Sequence, residues 1–204
     1  MILLQLEPLK TQNKMLRKII FILSVFLFSY NLNAQVYYGF KVGANISNIS
    51  GDNVYNGMKG AMHVGAVAEI AVSDLFSIQP ELLYSMQGSQ DSDDSSFKNN
   101  NHYITVPVMI KYFINETMSI DAGPQIGYLV FAKTSNGWEE WVDTKDQLNA
   151  FDYGFNIGAS YEMDNGMNIN IRYNYNFANI YKSNDFDLKA NNTVIQISLG
   201  YKFY

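Results

Sequence analysis

The sequence predicts an all-β protein: a closed antiparallel up-and-down transmembrane β-barrel, most simply of eight strands. The first observation is the final segment, TVIQISLGYKFY, in which apolar and polar residues alternate from Ile195 to Phe203. The second is that this alternation recurs in segments of about ten to thirteen residues, the length of a tilted membrane strand. The third is a secretion leader ahead of the first segment. Membrane-barrel strands alternate lipid-facing apolar residues with lumen-facing polar ones, so the observations point to one fold.

The leader occupies residues 15–35 and has the three parts of a signal peptide. Arg17 and Lys18 supply the positive charge, and an apolar core and a short polar run follow them. The apolar core is about ten residues long, half of what a membrane-spanning helix needs. We therefore predict cleavage after Ala34 rather than a membrane anchor.

Cleavage after Ala34 would divide the chain into two regions. Residues 1–34 are predicted to be an N-terminal extension plus the signal peptide, with Met15 as the natural start. Residues 35–204 are predicted to form one barrel domain.

Eight alternating segments make up the predicted barrel. They cover about residues 37–46, 61–72, 76–87, 103–114, 118–131, 151–163, 167–177 and 193–204. Tight turns at 73–75, 115–117 and 164–166 alternate with long polar connections at roughly 47–60, 88–102, 132–150 and 178–192. Short periplasmic turns and long external loops are typical of outer-membrane barrels, and an even strand number puts both termini on the periplasmic side.

The positions of the charged residues test the barrel prediction more sharply than the apolar content does. Every charged residue within the predicted strands falls on the polar parity: Lys41, Glu69, Glu81, Lys111, Asp121, Asp152, Glu162, Arg172 and Lys202. A basic residue facing mid-bilayer lipid costs about 2–4 kcal/mol, so we predict that all nine face the lumen and pair there. The opposite parity should face lipid, including Tyr38, Val108, Ile157, Ile171 and Ile197.

Arg172 is the basic residue whose surroundings can be predicted most closely. Counting up from the turn at 164–166 places it near the level of Asn156 or Gly158. Asp152 would then lie above it and Glu162 below it. We expect Arg172 to lean along the strand toward one of them or to reach across the lumen.

A soluble β-sandwich or ligand-carrying barrel would show the same alternation with the apolar side inward. The polar parity is rich in Gly, Ser, Asn and Gln, aromatic residues gather near strand ends, and the chain has an export signal, which together favour the membrane. Pro80, Pro107 and Pro124 fall within strands, and each is expected to mark a bulge or a broken ladder hydrogen bond.

Composition excludes several other classes. The formal net charge is −5 and the pI is near 4.9, without basic blocks, which argues against nucleic-acid binding. The chain contains no cysteine, so disulfides, thiolate metal sites and a lipoprotein anchor are unavailable.

Catalytic and metal sites have weaker support. His63 and His102 should both lie near the external rim, but no motif sets a serine against either one, so no catalytic residue is predicted. The run from Asp91 to Ser96 offers oxygen ligands but lacks the glycine and distal glutamate of a calcium loop. We interpret it as an acidic loop tip and predict no metal or cofactor. Trp138 and Trp141 could meet a partner or fold back on the rim.

Five segments resemble the outer-membrane β-barrel domain of porin-family, PorT-like proteins. They are YYGFKVGANIS (37–47, after NAQ), YITVPVMIKYFI (103–114), IDAGPQIGYLV (120–130), FDYGFNIGASYEM (151–163) and LGYKF (199–203). The resemblance implies a small integral barrel of the OmpA or OmpX type, inserted among outer-membrane lipids by the barrel-assembly machinery. It implies a C-terminal aromatic membrane-insertion signal, here Tyr201, Phe203 and Tyr204, and it implies no substrate.

The functional expectation is a non-enzymatic outer-membrane barrel, because no catalytic motif is present, and an open pore is not expected, because eight strands enclose only their own side chains. Surface interaction, with an unidentified extracellular or envelope protein as partner, or membrane maintenance is the expected role. A narrow porin or ion channel is the alternative, and a component of a secretion or assembly machine is the third possibility.

Overall fold

The computed structural model describes residues 35–52, 57–94, 96–137, 141–182 and 189–203. The predicted signal peptide, Ser95, Trp138 and Tyr204 lie outside these residues. In the described part of the chain, no helix is long and apolar enough to cross a membrane.

Eight long antiparallel strands close into a barrel, as the alternation predicted. The strands are β1 (Val36–Gly51), β2 (Lys59–Ser73), β3 (Phe76–Gln87), β4 (Phe97–Phe113), β5 (Met118–Asn136), β7 (Phe151–Glu162), β8 (Met167–Asn176) and β9 (Ala190–Phe203). A two-residue strand, β6 (Val142–Asp143), pairs with the end of β5, and a 3-10 turn follows at Lys145–Gln147. Each barrel strand pairs with its neighbours in sequence, and β1 pairs with β9 to close the wall.

Side chains alternate across this wall. Lys41 and Asn45 of β1 are buried, whereas Phe40 and Val42 on either side of Lys41 are exposed. The residues predicted to face lipid are all on the outer face, with exposed fractions from 39% to 66%: Tyr38, Val108, Ile157, Ile171 and Ile197. The outside is thus apolar and the inside polar, which is the arrangement of a membrane barrel.

The connections separate the two ends of the barrel. The tight turns at 74–75, 114–117 and 163–166 lie at one end, which we call the turn end, together with Val36 and Phe203. The long connections lie at the other, which we call the loop end.

Several strands run further toward the loop end than the sequence predicted. β1 continues to Gly51, β4 begins at Phe97, β5 continues to Asn136 and β9 begins at Ala190. Polar residues sit opposite each other there, such as Ser50 with Asn191. Backbone hydrogen bonds hold these extensions, and a ladder needs no apolar side chains, so the apolar pattern ended before the strands did.

The three strand prolines interrupt single ladders without shifting the register. Pro80 has no ladder partner on β2, Pro107 has none on β3, and Pro124 has none on β4, while pairing resumes in the same register beyond each gap. Each therefore marks a missing hydrogen bond rather than a bulge, as expected for a residue without an N–H. The register shifts occur elsewhere, between Ala71 and Ser73 and beside His102.

A charge on the outer wall should destabilise the barrel according to its depth. Ile171 is 53% exposed, opposite Ala159 and Ile197 near the middle of its strand, so Ile171→Arg should lower the free energy of unfolding by about 2–4 kcal/mol. Leu75→Arg, in a turn, is the control and should cost about 0–1 kcal/mol. Urea unfolding in phospholipid vesicles measures both, and equal costs would contradict the assigned lipid face.

Candidate functional site

The centre of the barrel holds a cluster of four charged side chains that includes Glu81. Glu81 Oε1 accepts hydrogen bonds from Lys41 Nζ at 2.8 Å and from Gln79 Nε2 at 2.6 Å. Arg172 binds both Glu81 oxygens at 3.0 Å and also donates to Asp121 Oδ2 at 3.2 Å. Lys41, Glu81, Asp121 and Arg172, which we call the central quartet, are all at most 3% exposed and carry two charges of each sign.

A second set of four charges lies nearer the turn end. Lys111 and Lys202 both donate to Glu69 Oε2, at 2.7 and 3.1 Å. Glu162 also pairs with Lys202 and lies 3.8 Å from Lys111. This turn-side quartet, Glu69, Lys111, Glu162 and Lys202, again carries two charges of each sign. Two charge-balanced clusters therefore fill the lumen from its centre toward the turn end.

The structure places Arg172 opposite Gly158 on β7, at the expected level. Its partners are Glu81 and Asp121, however, and not Asp152 or Glu162, which flank it along β7. Glu81 is on β3, which faces β8 across the lumen only because the barrel closes. Of the two options, leaning along the strand and reaching across, the arginine takes the second.

His63 is inside the barrel and only 1% exposed, so the prediction that it lies at the external rim is wrong. Its Nδ1 lies 2.7 Å from Asn45 Oδ1, and its Nε2 lies 2.9 Å from Ser198 Oγ. Asn45 Nδ2 donates to the carbonyls of Met62 and Met86, which fixes the orientation of the amide. His63 therefore donates from Nδ1 to Asn45, and in the neutral ring Nε2 accepts the hydroxyl hydrogen of Ser198.

Ser198, His63 and Asn45 thus have the hydrogen-bond order of a nucleophile, a base and an orienting group. The serine is 2% exposed and the asparagine is fully buried. A Cβ built on Gly43 would lie 2.6 Å from the imidazole Cε1, so the ring rests directly on the glycine backbone. No substrate can reach the serine in this packing, and the cluster serves as a structural network. The sequence search missed it because its members are on β1, β2 and β9.

Asp152 lies toward the loop end, among neutral groups. Its Oδ2 accepts hydrogen bonds from Asn176 Nδ2 at 2.7 Å and from Asn192 Nδ2 at 3.2 Å. Asn192 Nδ2 also contacts the hydroxyl of Tyr103 at 3.1 Å. Polar parity identified these asparagines as inward-facing, but only the closed barrel brings β4, β7, β8 and β9 around one carboxylate.

Two loops cover the interior at the loop end. Leu148, from the β5–β7 connection, bridges to Tyr181 from the β8–β9 connection, and Asn149 N donates to Ile180 O at 2.8 Å. Leu148 packs on the apolar cluster of Tyr103, Leu129 and Ala132. Ile180 packs on Ile49 and Ala190. We call the paired segments 147–149 and 180–182 the loop lid.

The remaining candidates lie on the outer surface or in loops. His102 is on the outer wall, where its ring lies 4.8 Å from that of Phe131 and its Nδ1 lies 2.6 Å from the Tyr84 hydroxyl. Lys98 Nζ lies 5.6 Å from the centroid of the Trp141 ring. These contacts fit an aromatic belt at a membrane interface.

The carboxylates of Asp91 and Asp94 accept hydrogen bonds from the backbone of their own loop. Asp91 Oδ1 accepts from the N–H groups of Asp93 and Asp94, and Asp94 Oδ1 accepts from that of Ser96. Among the described residues, no group of three or more His, Cys, Asp or Glu side chains is arranged to hold a metal ion.

Comparison with known proteins agrees with this geometry. The family model described as "Outer membrane protein beta-barrel domain" matches residues 26–182. The chain belongs to this family. No curated protein matches the sequence.

Solved structures show the same fold at low sequence identity. Neisserial surface protein A is 12% identical, with a TM-score of 0.55, and the match covers 81% of this chain and 97% of that one. Ail, the attachment invasion locus protein of Yersinia pestis, crystallised with the heparin analogue sucrose octasulfate, is 15% identical with a TM-score of 0.51. That match covers 83% of this chain and 99% of Ail. Outer-membrane barrel proteins thus share this chain's architecture.

The enclosed serine gives a direct test for hydrolase activity. Because Ser198 is sealed, the folded barrel should not react with a fluorophosphonate probe, whereas a serine hydrolase in the same detergent should. Asn45→Ala should lower stability by about 1–3 kcal/mol, since it leaves the His63 and Gln196 donors unpaired. Labelling of wild type that Ser198→Ala abolishes would show that the cluster is accessible and reactive.

Proposed function

We propose that this protein is a closed, non-conducting outer-membrane barrel that acts through its loop-end surface, in interaction with an envelope or extracellular partner or in membrane maintenance. The observation that carries the proposal is the central quartet. Arg172 and Glu81 join opposite walls through two hydrogen bonds, and Lys41 and Asp121 complete the charge balance. A continuous aqueous path would have to break these buried ion pairs.

The rest of the interior supports a closed state. The turn-side quartet fills the lumen below the central quartet, and the loop lid covers it above with Leu148 and Ile180. An eight-stranded barrel leaves little more room than its side chains need. Since the interior is closed, the polar loop end is the surface left for contact with other molecules.

The cellular setting belongs to the same proposal. The signal peptide is removed after Ala34, the turn end and both termini face the periplasm, and the long loops face outward. Outer-membrane lipids surround the wall, and the barrel-assembly machinery recognises Tyr201, Phe203 and Tyr204 during insertion. The PorT-like resemblance fits this setting and leaves a role in a secretion or assembly machine as a further candidate.

Planar-bilayer recording tests whether the barrel conducts. Wild-type protein should show negligible conductance, because the central quartet and the loop lid both obstruct the lumen. Steady, ohmic conductance of wild type would contradict the proposal and favour the narrow channel.

The Arg172→Ala variant tests the quartet itself. Removing the guanidinium leaves Glu81 and Asp121 short of a partner, so the free energy of unfolding should fall by about 3–5 kcal/mol. Lys133→Ala, which removes a charge beside the Phe131 ring at the loop end, is the control and should have little effect. Unchanged stability of Arg172→Ala, measured by urea unfolding in vesicles, would show that the ion pairs do not hold the barrel closed.

The absence of cysteine allows a clean test of orientation. Ser92→Cys at the loop end should react with a membrane-impermeant maleimide on intact cells. Asp164→Cys at the turn end should react only after the outer membrane is permeabilised. Both positions are exposed, so accessibility in purified protein serves as the control. The reverse labelling pattern would invert the proposed topology.

A further inference from the structure

We propose that the lumen binds one alkali-metal cation at Asp152, beneath the loop lid. The first argument is the charge balance of the interior. The central and turn-side quartets each pair two acids with two bases, and together they account for eight of the nine predicted lumen charges. Asp152 is the ninth, and it has no counterpart among the described residues.

Burial makes this single charge costly. Asp152 is 6% exposed, and no basic side chain of the described residues lies within salt-bridge distance of it. Its hydrogen-bond partners, Asn176 and Asn192, are neutral. Amide donors stabilise a carboxylate but supply no opposite charge, and an uncompensated buried charge is strongly unfavourable. The site therefore attracts a positive ion.

We assign three buried oxygen atoms as the ligands of this ion. Asp152 Oδ1 and Asn176 Oδ1 are both buried and have no hydrogen-bond partner among the described residues, and the same is true of Asn174 Oδ1 on the same face of β8. Asn176 Oδ1 lies over Gly154, where any side chain would clash with it. Gly154 thus leaves room for Asn176 Oδ1 between Asp152 and the next inward residue of β7, Asn156.

The chemistry of this set selects the ion. Carboxylate and amide oxygens are hard ligands, which suit alkali and alkaline-earth cations rather than softer transition metals. Calcium sites gain affinity from several carboxylates, whereas this site has only one. A single negative charge among neutral oxygens matches a monovalent ion, sodium or potassium.

The position of the site determines the path by which the ion can enter and leave it. Tyr103 links the site to the lid, because Asn192 Nδ2 contacts both its hydroxyl and Asp152, and Tyr103 packs against Leu148. The central quartet blocks the lumen below. The ion therefore enters and leaves at the loop end and stabilises the closed barrel without crossing it.

The test compares thermal unfolding of the refolded protein in phosphatidylcholine vesicles at pH 7.5 in chloride salts of equal ionic strength. Sodium or potassium should raise the midpoint of wild type by about 5 °C over N-methylglucamine, and the increase should saturate. Asp152→Asn and Asn176→Leu should abolish the increase. Asp146→Asn, which removes an exposed carboxylate in the lid loop, should retain it.

Two outcomes would overturn the proposal. Equal midpoints of wild type in all three salts would show that no alkali cation is bound. A midpoint that falls from pH 5 to pH 8 in N-methylglucamine and is not restored by sodium or potassium would show that Asp152 holds a proton instead. If Asp152→Asn fails to insert, broadening of the sodium-23 resonance by wild type but not by Asn176→Leu carries the test, and equal broadening by both would refute the site.

Discussion

The size of the barrel interior is the constraint on which the rest of this structure depends. Eight strands enclose a space that side chains can just fill, and a charged group buried there is costly unless it is paired. Arg172 finds its partners by spanning the lumen to Glu81, which also receives Lys41 and Gln79. The ion pairs join strands that are distant in sequence, so they fix the cross-section of the barrel as well as its charge.

Small residues make room for this packing. Gly43 lets the imidazole of His63 lie close against β1, which allows Asn45 and Ser198 to bind its two nitrogens. Gly154 leaves the space that Asn176 Oδ1 occupies beside Asp152. The inward-facing glycines are therefore needed for this packing as well as the charged residues, because a barrel this narrow cannot hold a large side chain at every inward position.

The two ends of the barrel are closed in different ways. Near the turn end, Glu69, Lys111, Glu162 and Lys202 form ion pairs within the lumen. At the loop end, backbone pairing between two connections seats Leu148 and Ile180 on apolar residues that line the rim. Near this end, the inward-facing positions of the strands include the apolar residues Ile49, Leu129 and Val194. The loops therefore belong to the packed structure rather than lying free above it.

The sequence by itself determined the strand number, the hairpin order and the face on which each charge lies, because side chains alternate with a period of two whichever strands are neighbours. It also placed Arg172 near the level of Asn156 or Gly158, and the structure has it opposite Gly158, since a short turn sets the register of its hairpin. Only the tertiary structure decided which charges meet, because Glu81 approaches Arg172 across a closed lumen. The burial of His63 with Ser198 and the isolation of Asp152 likewise depend on contacts between distant strands. The sequence could not predict the loop lid for the same reason: its two segments gain apolar partners only when the barrel brings their strands together.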